Sequence, residues 1–145
     1  MYVFLKKDEM ADLLVSTSGP KRTFGGSFVN GLFKMITVGN PPEIYVFDIS
    51  MAAYKQGINY FADAVITIKD TNGSGVPNAT VNVTWSGVVS GTDAGITGPG
   101  GTVSFRSPAA KKKAGPFTIT VNNVTLATMN YNPLLNNETS DSVTY

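Results

Sequence analysis

The sequence predicts an all-β chain: a two-sheet antiparallel sandwich of about seven strands with Greek-key connections, preceded by an N-terminal extension. Three observations predict it. Apolar and polar residues alternate through residues 61–69, 79–85 and 117–121, which is the period of a half-buried strand. Turn clusters such as Asp70-Thr71-Asn72-Gly73-Ser74-Gly75 and Thr97-Gly98-Pro99-Gly100-Gly101 punctuate the chain at about the 8–12-residue spacing of sandwiches and barrels. The chain also holds 16 Thr, 12 Asn, 11 Ser and 15 Gly. Thr favours strands, and Asn and Gly favour turns.

Pro41-Pro42 divides the chain, because neither a helix nor a central strand continues through such a pair. Residues 1–43 are therefore an extension and residues 44–145 the sandwich. In the extension, Met10, Leu13 and Leu14 fall at helical spacing within residues 5–15, and Ser18-Gly19-Pro20 ends such a helix. A strand over residues 12–17 is the competing reading. Asn30-Gly31 then sits between two apolar runs and predicts a β-hairpin over about residues 24–38, since its two turn positions need positive φ. A lone hairpin is marginal in water. Phe24, Phe28, Leu32, Phe33 and Ile36 must then pack on the rest of the chain or on another molecule, which makes them the candidate self-association residues.

The sandwich strands follow in order. Residues 43–50 are the first. In residues 61–69, Ala62, Ala64, Ile66 and Ile68 share one face, and Asp63, Val65, Thr67 and Lys69 the other. Ala79, Val81, Val83 and Trp85 alternate with Thr80, Asn82 and Thr84. Residues 88–96 form a weaker strand, and Val103 and Phe105 point inward from the next. Residues 109–115 read as an exposed loop. Phe117, Ile119 and Val121 alternate with Thr118 and Thr120, and residues 124–131 are the last strand. The expected core is Ala64, Ile66, Ile68, Val81, Val83, Trp85, Val103, Phe105, Phe117, Ile119 and Val121.

The segments Ile68-Lys69-Asp70, Gly75-Val76-Pro77-Asn78-Ala79-Thr80-Val81, Trp85-Ser86-Gly87 and Gly100-Gly101-Thr102-Val103-Ser104-Phe105 resemble the bacterial immunoglobulin-like domains of surface and secreted proteins, of the invasin/intimin type. That family has a strand ending in V-x-D, a turn G-x-P-V-x-G-A-x-V and a later hairpin T-x-x-x-G-x-V-x-F. Here Val76 and Pro77 are reversed, and Asn78 stands where Gly is frequent. The opening Val46-Phe47-Asp48-Ile49-Ser50 and the closing residues 117–124 also fit such modules. The resemblance covers about residues 44–145 and implies an immunoglobulin-like sandwich that acts as a spacer, stalk or display platform.

Composition removes several function classes. There is no Cys and no His, so thiol nucleophiles, Cys/His metal sites and His-based triads are excluded. Charged residues make up 14% and the net charge is +1, which provides no basic footprint for nucleic acid or an anionic membrane. No run approaches the ~20 apolar residues of a membrane span. Residues 1–5 are mostly apolar, but Lys6, Lys7, Asp8 and Glu9 follow at once, so no signal peptide is read. No metal, haem or nucleotide cofactor is expected.

Trp85 reads as core, with sugar stacking as the alternative. Tyr45, Tyr54, Tyr60, Tyr131 and Tyr145 are further stacking candidates. Asp48, Asp63, Asp70, Asp93, Glu138 and Asp141 are scattered, with no motif pairing two carboxylates for glycoside chemistry. Asp70 reads as a turn former. Ser107 precedes Lys111 by four, in a loop. Lys111-Lys112-Lys113 reads as a solvated hairpin tip. Asn-X-Ser/Thr sequons begin at Asn72, Asn78, Asn82, Asn123 and Asn137, and matter only in a secretory context.

The expected function is a non-enzymatic structural module, extracellular or on a cell surface, partnered by other domains of a larger chain or by copies of itself. One alternative is a fibre subunit that polymerises by strand addition through the N-terminal segment. A second is a carbohydrate-binding or adhesive module.

Overall fold

The computed structural model describes the strand backbones Leu13–Val15 (β1), Arg22–Phe24 (β2), Phe28–Val29 (β3) and Leu32–Phe33 (β4), together with residues 40–145. The chain divides into two compact units, Met1–Asn40 and Pro41–Tyr145. In the first unit β1 pairs with β2, Leu14 opposite Thr23. Residues 13–15 are therefore extended, as in the strand reading of 12–17, and the helix expected over 5–15 does not hold there. An isolated helix of that length is marginal in water, whereas Leu-Leu-Val suits a strand. The remainder, residues 5–12, lies outside the described residues. β3 pairs with β4, Phe28 opposite Phe33 and Val29 opposite Leu32. That register brackets Asn30-Gly31, which itself lies outside the described residues, as do the self-association side chains.

The second unit is an all-β sandwich. Its strands are Glu43–Gln56 (β5), Asn59–Asp70 (β6), Thr80–Gly87 (β7), Gly91–Ile96 (β8), Thr102–Arg106 (β9), Ala110–Lys111 (β10), Pro116–Thr125 (β11), Asn130–Tyr131 (β12) and Ser140–Thr144 (β13). A short 3₁₀ turn, Pro133–Leu135, precedes β13. In the first sheet, β9 and β10 line one side of β6, β5 lies on its other side, and β12 runs parallel to β5 at the edge. The second sheet has the order β13-β11-β7-β8.

Alternation decides what is buried. Ala62, Ala64, Ile66 and Ile68 of β6 face Val81, Val83 and Trp85 of β7 and Phe117, Ile119 and Val121 of β11. Every residue of the expected core is buried, joined by Ile44, Val46, Ile49, Val76, Ala79, Val89, Ala110 and Val124. Trp85 is only 1% exposed, which removes the sugar-stacking alternative for this residue. Its indole Nε1 has no hydrogen-bond partner among the described residues.

Five boundaries differ from expectation. The strand expected over residues 88–96 begins only at Gly91. β5 continues past Ser50 to Gln56, because the whole of Met51–Gln56 finds partners in Asn59–Ala64 of β6. Residues 109–115 are not all exposed loop: Ala110 is buried and pairs with Tyr60. Residues 124–131 are not one strand. A bulge between Val121 and Asn123 lets β11 run on to Thr125, and only Asn130–Tyr131 pairs again. Finally, the polar tail supplies β13, an edge strand whose pairing partners are Pro116–Thr120.

The turn at Gly75-Val76-Pro77-Asn78 depends on close backbone contact. Gly101 has φ +77°, and a Cβ there would run into the Ile68 carbonyl and the Val76 N–H. Its own carbonyl accepts the Ile68 N–H at 2.8 Å. Asn78 has φ +61°, a conformation that Gly and Asn adopt most readily.

Candidate functional site

The outward face of the first sheet carries a cluster where two aromatic rings meet an ion pair. It is built by strand register. Tyr54 of β5 lies opposite Phe61 of β6, and Asp63 of β6 lies opposite Arg106 of β9. All four point away from the core, since Ala53, Ala62, Ala64 and Phe105 take the inward positions between them. The Tyr54 and Phe61 rings are nearly parallel, 20° apart with centroids at 5.7 Å. The Arg106 guanidinium lies 5.7 Å from the Tyr54 ring centroid. Its Nε donates to Asp63 Oδ1 at 3.0 Å, and the Tyr54 hydroxyl donates to the same oxygen at 3.4 Å.

Both charged side chains are well exposed, at 64% for Arg106 and 45% for Asp63, so the pair is screened and contributes little to stability. The Asp63 carboxylate, by hydrogen bond and by charge, raises the Arg106 pKa above its ordinary value. Arg106 therefore stays cationic throughout the working pH range. The face thus presents a flat aromatic pair beside one fixed cation and one carboxylate. At the other end of the same sheet, Lys69 Nζ sits 3.4 Å over the Phe47 ring, which the β5 bulge turns outward.

The remaining candidates separate. Tyr60 packs on the core, and its ring meets Tyr145 at 4.8 Å. Tyr131 is half-buried, its hydroxyl accepting from Asn136 Nδ2 at 2.7 Å. Tyr45 lies opposite Lys69. None joins the Tyr54 cluster. Ser107 is buried. Its Oγ accepts from the Ala62 N–H and donates to the Pro108 carbonyl, both at 2.9 Å. Both of those bonds tie the hydroxyl to backbone groups. Lys111 lies in β10, Lys112 turns at φ +53° and Lys113 is exposed. Asp70 Oδ1 accepts the Asn72 and Ser74 N–H groups, each at 2.9 Å, which is the turn-forming role expected of it. No group of three or more acidic residues that could hold a metal exists among the described residues.

The sequon asparagines occupy different settings. Asn72, Asn78, Asn123 and Asn137 are exposed. Asn82 lies in mid-β7, opposite both Asn123 and Ala94. Asn137 Nδ2 donates to the Phe47 carbonyl at 3.1 Å.

Sequence reading placed Asp63 on the outward face but missed the cluster. Phe61 breaks the polar pattern of that face two positions before Asp63, and Arg106 follows inward-facing Phe105. Those were the available signals, and only the β6–β9 register joins them.

Comparison with known proteins found nothing: no family model, no curated protein and no solved structure matches this chain. Among the described residues no helix is long and apolar enough to cross a membrane.

Proposed function

We propose that this chain is a non-enzymatic structural module, a spacer or display domain of a surface or secreted protein with an immunoglobulin-like sandwich. One observation carries the reading: the chain enters and leaves the sandwich at opposite ends. Ile44, near the start of β5, lies opposite Asp70 at the end of β6. The Tyr145 ring, after β13, meets the Tyr60 ring at the start of β6, tilted 56° to it with centroids 4.8 Å apart. The ten residues between Tyr60 and Asp70 span about 33 Å at ~3.3 Å per residue. A module threaded end to end in this way sets flanking domains in line. The lack of His and Cys and the resemblance of residues 44–145 support the same reading.

Two copies of the sandwich joined in tandem test it by small-angle X-ray scattering. Spacing modules should lengthen the particle by roughly 30 Å or more per copy, following the strand length. A folded-back, compact pair would count against the proposal.

The Tyr54–Phe61–Arg106–Asp63 face favours a second reading, a carbohydrate-binding surface. The rings would stack on a sugar ring while the ion pair bonds its hydroxyls. Retention on immobilised polysaccharides, lost in Tyr54→Ala, is the supporting result; no retention on any of them removes the reading.

A further inference from the structure

Among the described residues the second sheet ends in two open edges, β8 and β13, and a single bond fixes the ladder parity of each. The Thr97 N–H donates to the Ala79 carbonyl at 2.9 Å, with Gly95 opposite Val81 and Asp93 opposite Val83. Bonded and non-bonded pairs alternate in an antiparallel ladder. Asp93 and Gly95 therefore bond to β7, and the N–H groups of Thr92, Ala94 and Ile96 face away from the sheet. On the other side, the Val121 N–H donates to the Thr139 carbonyl at 2.9 Å, and Asp141 lies opposite Ile119. By the same parity the N–H groups of Ser140, Ser142 and Thr144 face away.

The central N–H of each outward trio is already taken. Ala94 N–H donates to Asp93 Oδ1 at 2.8 Å, and Ser142 N–H donates to Asp141 Oδ1 at 2.7 Å. Each aspartate is the only charged residue of its strand. The same device thus appears on both edges of one sheet. Carboxylates on an edge both occupy its donors and repel a like-charged strand, and that is how edges are kept from pairing. The first sheet closes an edge by other means: β12 and residues 136–138 bond along β5.

Strand direction supplies the partner. β13, β11, β7 and β8 alternate in direction, so β8 and β13 run oppositely. A second copy displaced sideways sets its β13 antiparallel to β8 of the first and extends one continuous sheet. We propose that β8 and β13 form a head-to-tail docking surface for copies of this chain, held closed by the Asp93 and Asp141 carboxylates. The contact is heterologous, so it builds an open series rather than a closed dimer. This inference is independent of the spacer reading.

The test is the double variant Asp93→Thr/Asp141→Thr in the full chain, with Thr chosen for its strand preference. Fluorescence of buried Trp85 reports folding, and Asp93→Ala/Asp141→Ala serves if the threonine pair does not fold. Light scattering should show the double variant growing with concentration beyond twice the mass of the native chain. Each single variant should keep the native mass, because its one freed edge still meets a guarded one. Adding Ala94→Pro to the double variant removes the N–H itself and should restore the native mass. A double variant with native mass at every concentration overturns the proposal. So does a single variant that forms a dimer and grows no further, since that marks two-fold pairing through one edge.

Discussion

Trp85 offers a direct measure of how the core is held. It is 1% exposed, lies between Ile119 and Gly91 in the ladder, and buries an indole N–H that has no partner among the described residues. Replacing it with Ala should cost about 3–5 kcal/mol, as for other buried Trp truncations. Replacing it with Phe removes only two ring carbons and the nitrogen. The lost carbons weaken burial by about 1.6 kcal/mol at ~0.8 kcal/mol per carbon. Deleting an unsatisfied buried donor returns about 1–3 kcal/mol. The two nearly cancel, so Trp85→Phe should stay within about 1 kcal/mol of the native chain, and the two variants should differ by at least about 2 kcal/mol. Guanidinium unfolding followed by far-UV circular dichroism measures both, since the Trp signal is lost in each. If Trp85→Phe is as damaging as Trp85→Ala, the indole N–H has a partner, such as an internal water, and the accounting above is wrong.

Three other outcomes are expected. Asn136→Ala should destabilise by about 1–3 kcal/mol in thermal melts, because it strands the Val46 N–H that Asn136 Oδ1 accepts at 2.8 Å. Arg106→Ala should leave the melting temperature nearly unchanged, since the ion pair with Asp63 is exposed. The raised pKa of Arg106 means that its favourable contribution, present near neutrality, is lost only as the pH rises through the guanidinium range, so the guanidinium adds no pH dependence near neutrality. Residues 41–145 alone should unfold in one cooperative transition, because one continuous buried core joins both sheets within that unit; a broad, non-cooperative melt would refute this.

The core was legible because its signal is local. Alternation in residues 61–69, 79–85 and 117–121 needs no knowledge of the partner strand, and each inward residue named from it is buried. What failed depends on pairing. Met51–Gln56 has no alternation strong enough to mark a strand, yet it is extended because β6 offers it a ladder. The bulge at Val121/Asn123 shifts Val124 inward again, and no residue pattern announces such an inserted position. The Tyr54–Arg106 cluster was illegible for the same reason. It joins the β5–β6 hairpin to Arg106 of β9, 43 residues beyond Asp63.

The tail shows how far a polar segment can serve as structure. Residues 132–145 hold no buried residue, so hydrophobic patterning gives no reason to expect order there. Ser140–Thr144 are ordered by the β11 ladder, and the stretch before them by bonds to the β5 edge, several of them from side chains. Asn136 Oδ1 and Glu138 Oε2 accept the Val46 and Ile49 N–H groups at 2.8 and 3.0 Å, and Asn137 bonds the Phe47 carbonyl. These donors flank the β5 bulge, where the register shift between Val46 and Asp48 interrupts regular pairing. Buried backbone groups left without partners are costly, and Val46 is fully buried. The tail therefore does at the bulge what a regular strand cannot. By crossing there it carries the chain from β12 in one sheet to β13 in the other. The same Asn-rich composition that reads as turn and sequon in the sequence is thus what closes this side of the sandwich, leaving β8 and β13 as the edges that only Asp93 and Asp141 guard.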